Sequence, residues 1–206
     1  AYVVTRDPLH LTLLRHGRSR ADDEKVCGGR YDDELTELGV EQATKLARYW
    51  REHPPGFEHI VCSSLQRARQ TANIIAETLE MNLEVSDLWM ERDNGPLAGM
   101  PFEEANGRYP NRNLRGRYEP YVSDGGESYM AMTRRAQLGI EKLMQSEFTN
   151  VLVVAHGGIL NAALQDMLGT SRATFSFGDT GFARVMMYRD KDEARLLGVG
   201  LQPHLS

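Results

Sequence analysis

Two histidines and two arginines have side chains that together could handle a phosphate group: Arg15, His16, Arg67 and His156. The planar guanidinium of arginine presents N–H donors in a fork that matches the oxygens of a phosphate dianion. Neutral imidazole is a competent nucleophile toward phosphorus. We expect neighbouring arginines to lower the pKa of His16, so that one ring nitrogen keeps its lone pair while the other donates to a backbone carbonyl. This set could accept a phosphoryl group without a metal ion.

A phosphoryl transfer from an alcohol also needs a proton donor for the leaving oxygen. Glu91, in the segment 88–95, is the best candidate for this general acid, and Asp93 is a nearby alternative. After the alcohol departs, the same carboxylate could activate water. During attack, charge builds on the equatorial oxygens of phosphorus, where Arg15, Arg67 and His156 could stabilise it.

Three predicted strands place these side chains at one edge of a sheet. The polar groups Arg15-His16, Ser63-Ser64 and His156 each follow a short apolar run, and those runs are 11–14, 59–62 and 151–155. Ligands bind at the carboxyl ends of parallel strands, so the groups should converge there. Gly157 and Gly158 begin a predicted helix whose free N–H groups would favour an anion.

The alternation of strands and helices predicts a three-layer α/β/α sandwich with a mostly parallel central sheet, in one domain over residues 1–206. Leu38, Gln42, Leu46 and Tyr49 mark the first long helix, and Ser63 with Gln66 resembles a capping box. Segment 100–124 reads as an irregular excursion that could act as a lid. The predicted helices are 35–51, 65–79, 128–148 and 159–168, and the predicted third strand is 83–88. Two closing edge strands are predicted at 182–189 and 194–201, with a solvated turn at 189–193 between them.

The bulk composition excludes several classes of function. A net charge of -5 and a pI near 5.7 argue against a general nucleic-acid or membrane-surface binder. The residues 1–10 lack a signal-peptide core, and two cysteines, Cys27 and Cys62, without metal-ligand spacing, favour a reducing cytoplasmic setting. We expect no metal, no cofactor, a small phosphorylated metabolite as partner, and no nucleic acid or membrane. The oligomeric state is open, a homodimer being one option.

Four motifs resemble the histidine phosphatase superfamily, which includes the cofactor-dependent phosphoglycerate mutases. They are Leu14-Arg15-His16-Gly17, the segment from Gly29 to Gly39, the segment from Ser63 to Ala72, and Val154-Ala155-His156-Gly157-Gly158; Gly126-Glu127-Ser128 also resembles a family element. The resemblance implies the phosphoglycerate mutase-like fold, phosphorylation of His16 during catalysis, and Glu91 as the acid and base. It also implies a phosphate pocket that includes Arg15, Arg67 and His156, and we add Ser19, Gly157 and Gly29 to the phosphate-binding set.

The chain departs from the family pattern at Asp22, where members usually carry an asparagine that faces the phosphate. Asp22 could point away, pair with Arg18 or Arg20, or reflect a different loop register.

A phosphomonoesterase is the favoured function, because only about thirty residues separate Glu91 from Gly125, whereas mutases of the family carry a longer insertion there. The alternatives are a mutase, a catalytically weak phospho-ligand binding module, and a metal hydrolase that uses His16, His156 and carboxylates.

Overall fold

The computed structural model describes residues 6–206, so residues 1–5 of the predicted domain and of the segment 1–10 lie outside the described residues. The strands are β1 (Leu9–Arg15), β2 (His59–Ser63), β3 (Leu83–Ser86), β4 (Asn150–Ala155), β5 (Phe182–Met187) and β6 (Ala194–Leu201). The helices are α1 (Arg20–Glu24), α2 (Glu37–Glu52), α3 (Gln66–Thr78), α4 (Phe102–Arg108), α5 (Tyr129–Gln145) and α6 (Gly157–Met167).

All six strands form one sheet, in the order β3-β2-β4-β1-β5-β6. The strands β3, β2, β4 and β1 are parallel to one another, while β5 runs antiparallel to both β1 and β6. The central strands β1 and β4 are nearly continuous apolar runs with both faces buried, as helices on both sides of a parallel sheet require. The predicted mostly parallel sheet is confirmed.

Helices cover both faces of this sheet and give the three layers. On one face, α5 and α6 pack on alternate residues of β1 and β4, around Leu11, Val153 and Ile159. On the other face, α2 and α3 pack on Leu14, Leu152 and their neighbours. The predicted α/β/α sandwich is therefore confirmed, and its C-terminal sheet edge is where β1, β2 and β4 deliver Arg15, Ser63 and Ala155.

Several details of the prediction are wrong. β5 is not an edge strand, because β6 pairs with its outer side. Ser63 does not cap α3; the helix begins at Gln66, whose N–H donates to Asp32 Oδ1 at 2.7 Å, so a distant aspartate supplies the cap. Leu38 lies on the exposed side of α2, since the buried stripe runs instead through Gly39, Gln42, Leu46 and Trp50.

Segment 100–124 is less irregular than predicted. It contains α4 and a short 3-10 turn, Arg112–Leu114, and its Ala105 and Val122 form a small apolar cluster with Leu97, which precedes the segment. Local packing of these three side chains gives the segment order that no periodic pattern announces.

No helix within residues 6–206 has the length and apolar character needed to cross a membrane. Cys27 and Cys62 are free thiols, and burial raises the pKa of Cys62 to about 11. Cys62 therefore stays a neutral packing residue beneath α3 at physiological pH.

Candidate functional site

His16 lies directly after β1 and is almost completely buried, with 4% of its surface exposed. Its Nδ1 is 2.7 Å from the carbonyl oxygen of Gly17, and its Nε2 is 3.2 Å from Nε of Arg67. The arginine can only donate, so Nε2 is the acceptor and Nδ1 carries the proton. Burial, followed by the charges of Arg67 and Arg15, holds the pKa of His16 well below its ordinary value. The neutral ring thus keeps a lone pair on Nε2.

Glycine is required where the His16 loop meets helix α2. A Cβ added to Gly17 would lie 2.7 Å from the carbonyl oxygen of Gly39, and one added to Gly39 would lie 2.1 Å from that of Arg18. The N–H of Gly17 also donates to Thr71 Oγ1 on α3. Close backbone approach between this loop, α2 and α3 therefore positions the imidazole.

Arg67, on the first turn of α3, is buried and already engaged by the protein. Its Nη1 donates to the carbonyl of Tyr31 at 2.7 Å and to Asp33 Oδ1 at 3.1 Å, and its Nη2 donates to the carbonyl of Gly29 at 2.8 Å. With Nε on His16, four of its five N–H donors are taken. The expected two-pronged grip of Arg67 on phosphate is thus wrong for this arrangement, in which Arg67 offers its charge and one N–H.

Arg15 keeps more of its donors free. Its Nη1 forms an ion pair with Asp179 Oδ1 at 3.0 Å and lies 3.5 Å from the carbonyl oxygen of Phe177. Gln42 on α2 donates to the other oxygen of Asp179 at 3.1 Å and so holds that carboxylate in place. Nε and Nη2 of Arg15 make no hydrogen bond within residues 6–206, so they can donate to an anion beside His16.

His156 faces His16 across the site, with ring centroids 5.1 Å apart. Its Nε2 is 2.8 Å from Ser63 Oγ, a hydroxyl that accepts the N–H of Leu65 and can donate its own proton to the ring. With Ser63 as the donor, the proton of the neutral imidazole is on Nδ1. This nitrogen is buried and has no hydrogen-bond partner in the described part of the chain. Burial, then Arg67, His16 and other cations, keeps the pKa of His156 well below its ordinary value.

Glu91 reaches the site at the beginning of helix α6. Its Oε2 accepts the N–H of Gly158 at 2.9 Å, and its Oε1 accepts those of Ile159 at 3.0 Å and Arg92 at 2.8 Å. The helix N-terminus therefore binds the carboxylate of Glu91, and the expectation that Gly158 is free for the substrate's anion is wrong. The helix N-terminus does favour an anion, as expected, but that anion is a carboxylate of the protein itself.

Asp93 does not compete for that position. Its carboxylate accepts the N–H of Gly95 at 2.8 Å, within its own turn, and its carbonyl accepts the N–H of Glu127 at 2.7 Å. Glu91 is consequently the carboxylate of this segment that lies beside the buried histidines.

The remaining predicted phosphate ligands have mixed placements. Ser19 is buried, but its N–H and hydroxyl both bond to Asp22 Oδ2, at 3.0 and 3.4 Å, at the start of α1. Asp22 pairs with neither Arg18 nor Arg20, which engage Asp23 and Glu24.

The two predicted glycines have different surroundings. The carbonyl of Gly29 accepts a hydrogen bond from Arg67. Its φ of 58° is in the left-handed region, and Asn94 leaves no space for a side chain there. Gly157 lies at the first position of α6, with Arg15 Cδ 4.0 Å from where its Cβ would be.

Three residues outside the predicted catalytic and phosphate-binding set support Arg67, Arg15 and His156. Asp33 pairs with Arg67, Asp179 pairs with Arg15, and Ser63 orients His156. Asp33 lies within the motif between Gly29 and Gly39, and Ser63 directly follows the predicted strand 59–62, so both had a local signal. Asp179 had none, because its partner is 164 residues away in sequence.

Within residues 6–206, no group of three or more histidine, cysteine or carboxylate side chains has the arrangement of a metal site. The positive charge near His16 comes from Arg15 and Arg67. The arrangement offers a neutral imidazole lone pair, a buried imidazole N–H, guanidinium donors and a carboxylate, which are the groups required for metal-free phosphoryl transfer through histidine.

Comparison with known proteins places this geometry in a family. The model of the histidine phosphatase superfamily (branch 1) matches residues 11–199. The "Uncharacterized phosphatase PhoE" of Bacillus subtilis is 33% identical over 159 residues, 76% of this chain and 76% of that protein. A 2,3-bisphosphoglycerate-dependent phosphoglycerate mutase of Methylorubrum extorquens is 30% identical over 191 residues, 88% of this chain and 89% of the mutase.

A solved structure is similar over nearly the whole chain as well. The phosphoserine phosphatase mutant of Entamoeba histolytica, in complex with phosphoserine, has a TM-score of 0.81 at 25% identity, covering 96% of this chain and 100% of its own. The match of the family model spans most of the chain and includes His16, Arg67, Glu91 and His156. The chain therefore belongs to the histidine phosphatase superfamily, branch 1.

Proposed function

We propose that this protein is a metal-independent phosphatase that hydrolyses a small phosphate monoester through a phosphohistidine on His16. The observation that carries the proposal is the buried pair of neutral histidines. Nε2 of His16 holds a lone pair, and Nδ1 of His156 is a buried ring nitrogen without a partner among residues 6–206, which is a donor when Ser63 donates to Nε2. An unpartnered buried donor costs about 1–3 kcal/mol, a cost that a phosphate oxygen would relieve.

In the first step, Arg67 Nε moves its hydrogen bond from His16 Nε2 to a phosphate oxygen, Nε2 attacks phosphorus, and the bond from phosphorus to the ester oxygen breaks. Glu91 is the proposed donor of a proton to the departing oxygen, so that a neutral alcohol leaves; it must take up this proton with the substrate, because its three backbone N–H partners favour the ionised carboxylate. Arg15, Arg67 and His156 donate to the equatorial oxygens of the phosphoryl group while charge builds there. In the second step, Glu91 takes a proton from water, whose oxygen attacks phosphorus, and the P–N bond breaks to release inorganic phosphate and neutral His16.

A mutase is the main alternative, and chain length does not separate the two functions, since this chain covers 89% of the Methylorubrum mutase. Two arginines of segment 100–124 favour hydrolysis. A mutase must rebind its product in a second orientation, for which extra cations are useful. Arg112 donates to the carbonyls of Ala105 and Tyr109, and Arg115 donates to the carbonyl of Pro120 and pairs with Glu119, so neither supplies such a cation. Outside the segment, Arg92 keeps free donors.

The test compares the wild type with His16→Ala on a panel of phosphate monoesters, in the presence of a chelator. We expect the wild type to release phosphate under these conditions and His16→Ala to lose at least about a thousandfold in kcat. His53→Ala is the matched control, because His53 is exposed and stacks on Tyr49 at the end of α2. Rapid quench should trap an acid-labile phosphoryl group on His16.

Substantial hydrolysis by His16→Ala would contradict the mechanism, and activity that disappears with chelator and returns with a divalent ion would favour a metal hydrolase. With a phosphoglycerate as substrate, an isomer that forms faster than phosphate is released would favour the mutase. Binding of the esters without turnover would favour the phospho-ligand module.

The role of Glu91 has its own test. Glu91→Gln should lower kcat/KM, which reports the first step, by about a hundredfold or more for an alkyl phosphate and much less for p-nitrophenyl phosphate, whose leaving group needs no proton. Asp93→Asn should show no such dependence on the leaving group. If Asp93→Asn showed it and Glu91→Gln did not, the assignment of the acid would be reversed.

A further inference from the structure

A cavity of about 330 Å³ lies beside Glu91 and Gly158. Because Glu91 is the proposed proton donor to the leaving oxygen, the alcohol part of the substrate must occupy space on this side of the site. Arg92, Arg112, Tyr121 and Phe102 also line this cavity. Its two arginines differ sharply in their surroundings.

Arg112 is used to hold segment 100–124 together. Its Nη1 donates to the carbonyls of Ala105 and Tyr109, and its Nη2 donates to Asn106 Oδ1 at 2.8 Å. These bonds satisfy the C-terminal end of helix α4. Arg112 is thus a capping residue.

Arg92 is held by the protein but its charge is not neutralised. Its Nε donates to the carbonyl of Glu127 at 3.0 Å, and its guanidinium lies 4.7 Å from the ring centre of Tyr121 and 5.8 Å from that of Tyr129. Neither terminal nitrogen of Arg92, Nη1 or Nη2, makes a hydrogen bond within residues 6–206. Stacking on tyrosine therefore fixes the plane of the fork and leaves its donors free.

The carboxylates near Arg92 are committed elsewhere. Glu127 forms an ion pair with Arg135 at 2.9 Å, and Glu91 is bound at the start of α6. Arg92 has no ion pair within the described residues. Burial lowers the pKa of Arg92, which means that the site disfavours its charge. A half-buried guanidinium without a counter-ion, on the wall of a small cavity, fits an anion that arrives with the ligand.

We infer that Arg92 binds an anionic group, a carboxylate or a second phosphate, on the alcohol part of the substrate. This inference rests on the proposed function, since it places the leaving group in the cavity beside Glu91. The preferred ester is then a small one that carries its second anion a few carbons from the ester oxygen. Arg92 would contact the substrate directly and set specificity for the alcohol.

Two matched esters test the inference: 3-phosphoglycerate and glycerol 3-phosphate, which share three carbons and differ by a carboxylate in place of a hydroxymethyl group. The measured quantity is the ratio of kcat/KM for the acid to kcat/KM for the neutral ester. We expect the wild type to favour the acid, and Arg92→Met to lower the ratio by about ten- to a hundredfold. Arg92→Lys, which keeps charge but lacks the fork, should fall between.

Arg117→Met is the matched control. Arg117 also stacks on Tyr129, at 4.7 Å, but its side chain is exposed and is not part of the cavity wall. The control should leave the ratio unchanged. A third ester, glycerol 1,3-bisphosphate, distinguishes a carboxylate from a second phosphate. For each of the two anionic esters, kcat/KM is divided by that of glycerol 3-phosphate, and the anion whose ratio falls more in Arg92→Met is the better ligand for Arg92.

The same ratio should be measured as dissociation constants in the His16→Ala background, where no turnover is expected. A wild type that shows no preference for either anion, or an Arg92→Met ratio equal to that of the wild type, would overturn the inference while leaving the phosphatase proposal intact. If the esters are not hydrolysed but their dissociation constants depend on Arg92, the proposed function fails and the anion site stands.

Discussion

Arg67 carries a positive charge into the interior beside His16, where its side chain is 4% exposed and that of its partner Asp33 is fully buried. Asp33 also accepts the N–H of Ala21 at 2.7 Å, so one carboxylate ties α1 to α3 through Arg67. The pair has little net value as a source of stability, because both charges lose their hydration. Its consequence is positional: Arg67 points its Nε at His16.

Removing one member of this pair should be costly. Asp33→Ala leaves the charge of Arg67 buried and unpaired, so we expect the free energy of unfolding to fall by about 3–5 kcal/mol. Urea unfolding followed by circular dichroism measures this. The control is Asp23→Ala, which removes an exposed ion pair with Arg18 and should cost less than about 1 kcal/mol. Equal losses for the two variants would show that the buried pair is not special.

Helix α5 illustrates how a strand and a helix are joined at the edge of the sheet away from the site. Arg189, just after β5, donates to backbone carbonyls at and beyond the end of α5: Leu143, Met144, Ser146 and Phe148, at 2.7 to 3.3 Å. A helix ends with carbonyls that have no partner in the helix, and a cation there is favourable. The charged run 189–193 predicts a solvated turn, which is wrong for Arg189 and right for residues 190–193.

Replacing Arg189 should therefore destabilise the fold without touching the chemistry. We expect Arg189→Met to lower the free energy of unfolding by about 2–3 kcal/mol, because several partly buried carbonyls lose a charged donor. kcat/KM should stay at the wild-type value, since Arg189 lies at the opposite end of the strands from His16. Arg195→Met, which removes an exposed contact with Glu193 and a distant one with the ring of Tyr188, is the control. A variant of Arg189 as stable as that control would contradict the capping role.

At the scale of the whole molecule, burying two neutral histidines makes stability depend on pH. The pKa values of His16 and His156 are lower in the folded protein than the 6.5 of an exposed histidine, with burial as the largest cause. Below pH 6.5 the unfolded chain binds protons that the folded chain does not. Stability is thus fully present above pH 6.5 and declines as the pH falls toward the folded pKa values.

We expect the free energy of unfolding to decrease between pH 6.5 and 5 with a slope that approaches about 1.4 kcal/mol per pH unit for each histidine. Guanidinium unfolding at several pH values measures the slope. His156→Gln should remove about a third of it, because burial also lowers the pKa of His204, to about 4, whereas His53→Gln, at an exposed position, should leave it unchanged. Stability that is flat or rises on acidification would be incompatible with neutral buried histidines.

The sequence by itself determined the layered fold and the convergence of Arg15, His16 and His156, because parallel strands expose their carboxyl ends at one edge. Apolar runs and helical spacing are local signals, so most helices and strands were predicted within a few residues, while the short helices α1 and α4 were missed because they lack such a signal. Family motifs also identified Arg67 and Glu91.

Only the tertiary structure decided what each charged group does with its donors and acceptors. It paired Arg67 with Asp33, placed the Glu91 carboxylate at the start of α6, and left Arg92 with free donors while Arg112 became a cap. These outcomes depend on contacts between residues far apart in the chain, as in the pair of Arg15 and Asp179. Periodicity and motifs carry no information about such partners, since burial and charge pairing are set only when the elements pack.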